Sequence, residues 1–319
     1  MRSKTETATR LRAAIAIVII AATALAGCDA RTNNAMRAAN GPQRIVSLAP
    51  AITETLFALG AGAEVAGVSQ YCDYPPEVAR LPKAGTFLTP NIEAIAGLRP
   101  TIVIGLAISS DLREIRALKA MGYRTLMVDD HSIAGIEAGI RIIGGAIGRA
   151  REAQALLDRM HLKIEAIEER LRGVPQRRVL MVVGHQPMVA VGRGTFLDEL
   201  LTMARATNIA AGAAQTWPRL SIEYIIATRP EVILDGQMGT DPGSPSSFWA
   251  KYPTIPAVRA HRVIGYPEDP TLHPGPRIVQ TLELLARLIH PEAFTRDPDA
   301  PARIANYSKP HAIAPGLAR

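Results

Sequence analysis

Two fourteen-residue stretches, 130 positions apart, carry nearly the same pattern: NIEAIAGLRPTIVI from Asn91 to Ile104 and SIEYIIATRPEVIL from Ser221 to Leu234. Ile, Glu, Ile, Arg and Pro recur at identical offsets. Each stretch reads as a helix of about ten residues ended by its Arg-Pro, since the residue before a proline is disfavoured in the α region. Each then runs into the β-branched stretch of a strand buried on both faces. A chain that writes this junction once in each half is constrained to two similar α/β lobes. Packing accounts for the repeated Ile and Pro. It does not account for Glu93 and Glu223 at the same helical position.

The flanking sequence has the same rhythm. RIVSLAP reads as a strand, AITETLFALGAG as a helix ended by glycines, and AEVAGVS as a second strand. DLREIRALKAMG is a helix and YRTLMVD a strand. After the middle of the chain, RRVLMVVG, EVILDG and HRVIGYP read as strands, and TFLDELLTMARATNIA and GPRIVQTLELLARLI as helices. Strands alternating with helices imply mainly parallel sheets with helices on both faces.

Between the halves no strand signal occurs. Ile136, Ile140, Ile143 and Ile147 form one helical apolar stripe, and Leu157, Met160, Ile164, Ile167 and Leu171 another. Gly144, Gly145 and Gly148 are expected to break the stretch in two. The second helix, about Arg149 to Arg172, would be ~36 Å long. The expected organisation is an N-terminal α/β lobe over 44–141, a linking helix region over 142–173, a C-terminal α/β lobe over 174–291 and a loose tail over 292–319.

The start of the chain has another character. A basic segment, MRSKTETATRLR, precedes the 14-residue apolar run AAIAIVIIAATALA. That run spans ~21 Å as a helix, short of a ~30 Å hydrocarbon core, and small residues follow it. This is the order of an export signal over 1–27. The run ends LAGC, which resembles the lipobox of bacterial lipoproteins and makes Cys28 the expected lipidated residue; an incidental cysteine is the alternative. Residues 28–43 are polar, without apolar period, and read as a flexible tether. Removing 1–27 takes away four basic side chains and one acidic one, lowering the net charge from +7 to +4. No basic block interleaved with aromatics occurs, so nucleic-acid binding has no support. Only Cys72 remains beside Cys28, so no disulfide framework is available, and no metal-ligand cluster is evident.

RIVSLAPAITETLFALGAGAEVAGVSQYCDYPPE, with NIEAIAGLRPTIVI shortly after it and WPRLSIEYIIATRPEVIL and GPRIVQTLELL further on, resembles the periplasmic binding proteins for vitamin B12 and iron-siderophores. The resemblance runs from about Arg44 to Ile289. It implies two α/β lobes joined by a single long backbone helix, and capture of cargo between the lobes for delivery to an ABC permease in the inner membrane. It places on Glu93 and Glu223 the acidic residues, one per lobe, that meet arginines of the permease; a solvated helix carboxylate would equally explain either one alone. SQYCDYPP and TWPRLSIE are most similar to the vitamin-B12-binding member. The resemblance therefore implies cobalamin or a related corrinoid as cargo, with haem or a ferric siderophore as the alternative. It implies no cofactor beyond that cargo and a monomer in the periplasm or on the outer face of the cytoplasmic membrane.

The same resemblance assigns the cleft. Its two first-lobe aromatics fall on Tyr71 and Phe87 and its second-lobe tryptophan on Trp217, although core packing would also explain Tyr71 and Phe87. In a chain with only 4% aromatics, three in loops are notable, and flat rings suit a large, partly apolar macrocycle. In EDPTLHPGPR, Asp269 matches the family's Asp, but His273 stands where an Arg is expected, and Val189 replaces a second-lobe Phe. A cleft-facing His273, or His185, could coordinate iron or cobalt or bind a carboxylate when protonated. Arg277 could bind an anionic group or serve packing. An exported α/β enzyme is the remote alternative. LGAGAEVAG follows a helix and lacks GxGxxG spacing, and neither a phosphate-binding loop nor GxSxG occurs.

Overall fold

The computed structural model describes residues 43–236, 245–267 and 271–295. It contains two sheets. The first, in order β2-β1-β3-β4, is built from β1 (Ile45–Ser47), β2 (Val65–Val68), β3 (Ile102–Leu106) and β4 (Thr125–Val128), all parallel. The second centres on β5 (Arg177–His185). One edge of β5 pairs in parallel with β8 (Val232–Asp235), which pairs with β9 (Val263–Gly265). Its other edge takes β7 (Ala206–Asn208) in parallel near its start and β6 (Met188–Ala190) antiparallel near its end.

Helices α1 (Pro50–Ala58), α2 (Ile92–Gly97), α3 (Arg113–Ala120) and α4 (Ile133–Ala146) accompany the first sheet. Helix α5 (Ala150–Arg170) links the lobes, and α6 (Phe196–Met203), α7 (Ile222–Thr228), α8 (Pro245–Trp249), α9 (Pro256–Arg259) and α10 (Ile278–Ile289) accompany the second sheet. The break between α4 and α5 contains Gly148, whose φ of 71° suits glycine. At 21 residues, α5 is ~31 Å long. Among the described residues no helix is long and apolar enough to cross a membrane.

The strands alternate faces with period two. Ile45, Ile104, Val179 and Met181 enter one apolar cluster that runs from the first lobe through α4, α5 and α10 into the second. Val46, Leu48 and Val103 close the other face of the first sheet, and Leu180, Val182 and Ile233 that of the second. Both predicted helical stripes are buried in the shared cluster.

Three expectations are corrected. The helix read over Thr195–Ala210 ends at Met203, and Ala206–Asn208 becomes edge strand β7. The turn between them holds Arg205 at φ 57°. The duplicated helices have six and seven residues instead of about ten, because Arg99 and Arg229 turn into the left-handed region at φ 46° and 51°. Residues 292–294 are ordered: Pro291–Phe294 forms a 3-10 turn, and Phe294 is buried beneath Arg170 and Arg287. The rest of the tail, like 1–42, lies outside the described residues.

Candidate functional site

In open α/β sheets ligands gather at the carboxyl ends of the strands, where the strand order reverses. The chain passes from β1 to β2 on one side and returns to β3 on the other, so in the first lobe the reversal lies between β1 and β3. In the second lobe it lies between β5 and β8. Of the sequence-predicted cleft residues, Tyr71 and Phe87 follow β2, Trp217 follows β7 and His273 follows β9.

Tyr71 follows β2 and is 55% exposed, which removes core packing as its explanation. Phe87 is half-buried in a loop built on Gly85, where φ is 89° and an added Cβ would stand 2.5 Å from the Thr89 carbonyl. The Thr86 hydroxyl accepts from the N–H groups of Leu88 and Thr89, and Ser109 Oγ donates to the Phe87 carbonyl at 2.7 Å. That last bond ties the loop to the turn after β3. Leu88 and Ile108, 53% and 60% exposed, join Tyr71 and Phe87 along this edge. Sequence reasoning missed both, although each is a large apolar residue inside a polar loop (FLTPN, AISSD).

In the second lobe Trp217 is 45% exposed. Its segment runs beside β6: Ala190 N–H donates to the Pro218 carbonyl, Leu220 N–H to that of Met188, and Val189 bridges Arg219. Gly192 lets the strand approach closely, since a Cβ there would lie 2.4 Å from the Gln215 carbonyl. At the reversal itself, His185 Nε2 is 2.6 Å from Asp235 Oδ1, and Trp249 Nε1 donates to Asp235 Oδ2 at 2.8 Å. Phe248 packs edge-on against the imidazole at 4.5 Å. The fully buried carboxylate thus orients the ring.

Asp129, Asp130 and His131 follow β4 and bring their ligand atoms within 4.8 Å of one another. His131 Nδ1 meets Asp129 Oδ1 at 2.5 Å; this contact raises the imidazole pKa and lowers that of Asp129, while burial raises that of Asp130. Glu93 and Glu223 are exposed in the first turns of α2 and α7. Hydrogen bonds from its own N–H and from the Ser221 hydroxyl hold the Glu223 carboxyl below its ordinary range. Asp269 and Cys28 lie outside the described residues.

His273 and Arg277 belong to a seam between the lobes. Arg277 donates to both Glu54 oxygens, at 2.8 and 2.5 Å, and its guanidinium lies 4.2 Å over the Tyr74 ring. His273 Nδ1 is 3.7 Å from Glu54 Oε1. Arg277 therefore packs as well as pairs. A groove of about 710 Å³ opens beside this seam, lined by Phe57, Tyr74, Leu156, Met160 and Val279. It runs along α5 and is bounded by Tyr74 and Pro75 of the segment after β2 and by Pro276 after β9.

Comparison with known proteins gives a consistent result. Residues 45–270 match the family model described as periplasmic binding protein. An uncharacterized ABC transporter substrate-binding lipoprotein, YvrC, of Bacillus subtilis (strain 168) is 31% identical over 276 residues, covering 83% of this chain and 86% of that one. The vitamin B12-binding protein of Salmonella choleraesuis (strain SC-B67) is 27% identical over 215 residues, covering 67% and 80%. Among solved structures, the periplasmic heme-binding protein RhuT from Roseiflexus sp. RS-1, in its apo form, superposes with a TM-score of 0.71 at 30% identity, covering 79% of this chain and all of that one. With its two α/β lobes and the long helix between them, the chain belongs to the periplasmic binding protein family.

Proposed function

We propose that this protein is the extracytoplasmic binding component of an ABC importer and that it captures cobalamin or a related corrinoid between its lobes. The observation that carries the reading is the set of exposed apolar side chains at the carboxyl edges of both sheets. Tyr71, Leu88 and Ile108 are exposed on one lobe, beside the half-buried Phe87, and Trp217 is exposed on the other, in a family whose B12-binding member is similar over two thirds of this chain. Exposed rings and aliphatic groups of this kind suit a broad, partly apolar macrocycle. Asp269 and His273 are the polar partners in this reading, and the protein binds without catalysing. Glu93 and Glu223 dock the two lobes onto the permease, and lipid on Cys28 holds a monomer at the membrane.

Haem or a ferric siderophore is the second reading. It is favoured by the likeness to a heme-binding protein. Calorimetric titration of the mature protein with cobalamin, cobinamide, haem and a ferric siderophore separates the two. Submicromolar binding of either corrinoid, weakened on the order of tenfold by Trp217→Ala, supports the first reading. Binding of haem or siderophore alone moves the function to the second.

A further inference from the structure

We propose that Glu54, Tyr74 and Arg277 fasten the two lobes at a fixed separation, so that these positioning residues, and not the linking helix alone, set the width of the space between them. Glu54 and Arg277 are 223 positions apart, one on α1 of the first lobe and the other at the start of α10 of the second. They are 4% and 7% exposed, far below the usual exposure of such residues. The guanidinium engages both carboxylate oxygens, and a two-point contact resists rotation as well as separation. Tyr74, also of the first lobe, backs the guanidinium on its face.

Two further contacts fix the same seam. Gly275 lies so close to α1 that a Cβ there would stand 3.2 Å from Ala51 Cα. On α4, the Ile133 N–H donates to Glu199 Oε2, from α6 of the second lobe, at 2.8 Å. Swinging one lobe about α5 would pull on all three contacts. The Glu54–Arg277 pair is the ionic one of the three and is buried, so separating it would strand a charge in a site with little access to water. The lobes therefore hold one spacing in the empty protein, and cargo meets a gap of set width.

Spin labels on Lys119→Cys in the first lobe and Lys251→Cys in the second, in the chain carrying Cys28→Ser, report this spacing by pulsed electron paramagnetic resonance. The wild-type pair should give one narrow distance distribution without cargo. Glu54→Gln and Tyr74→Leu should each at least double its width. Since a lone buried Arg277 could unfold the protein, the double variant Glu54→Leu/Arg277→Met removes both charges together and leaves neither stranded. This variant should melt cooperatively and still show the doubled width. A purely structural role would lower the melting temperature and leave the distribution unchanged. A wild-type width in the folded double variant overturns the proposal, as does a broad distribution in the wild type. The consequence for cargo rests on the inter-lobe reading above, whereas the distances are recorded without cargo, so either can fail independently of the other.

Discussion

His290 is a fully buried imidazole at the end of α10, with Nε2 3.3 Å from the Arg205 carbonyl and Nδ1 3.4 Å from Glu292. Burial disfavours its charged form and pushes its pKa below the usual histidine value, helped by the nearby Arg177. The unfolded chain therefore binds more protons than the folded one between the ordinary histidine pKa and the lowered one. Stability rises with pH through that window and is lost as pH falls through it. Urea midpoints should drop between pH 7.5 and pH 5.5, with a slope of at most about 1.4 kcal/mol per pH unit from this group. His290→Gln should flatten that part of the dependence. An unchanged slope would assign it to other groups, and His131, whose pKa is raised, acts with the opposite sign. Cys72 shows the same influence of burial: its thiol is pushed up by desolvation between Thr53 and Ser69.

At the scale of elements, arginine side chains serve as caps for helix carboxyl ends. Arg44, just before β1, donates to the Leu98 carbonyl at the end of α2, and Arg178 of β5 donates to the Arg229 carbonyl at the end of α7. Arg149 does the same for Leu59 after α1, and Arg262 for Leu288 and Ile289 of α10. Each cation meets the negative end of a helix dipole, so these four arginines have a structural use. The repeat extends to the helix starts. Asn91 Oδ1 accepts from Ala94 N–H and Ser221 Oγ from Tyr224 N–H. Asn91→Ala and Ser221→Ala should each cost about 1 kcal/mol. The two losses should add in chemical denaturation, because the caps lie in different lobes. The repeated stretch thus encodes cap, buried Ile, left-handed arginine and strand twice over. Asn and Ser are residue types suited to a helix start, whereas nothing local marks an arginine for the left-handed conformation.

At the scale of the whole molecule, the proposed partner must read two lobes at once. Glu93 and Glu223 occupy matching positions at the amino ends of α2 and α7, both exposed. Rim charges of this type steer and orient docking more than they add affinity. Glu93→Ala and Glu223→Ala should therefore leave cargo affinity within about twofold while lowering uptake through the permease. Uptake into proteoliposomes alongside calorimetry checks this, and a large loss of cargo affinity in either variant would remove the docking role.

The alternation of buried strands with amphipathic helices, the twin junctions and the helical link were all present in the sequence, because each rests on periodicities a few residues long. Burial on one or both faces writes such patterns directly. Tyr71, Phe87 and Trp217 could be picked out as loop aromatics, but Leu88 and Ile108 became visible only when the strand order showed which loops stand side by side. Glu54 is the clearest case. In sequence it is a carboxylate in a helix of otherwise ordinary pattern. Its partner, Arg277, lies 223 residues away on the other lobe, and no local rule connects them. The sequence by itself determined two α/β lobes on a helical link. Only the tertiary structure decided how those lobes are fastened, because contacts between distant segments depend on how finished elements dock and on which polar groups are then cut off from water.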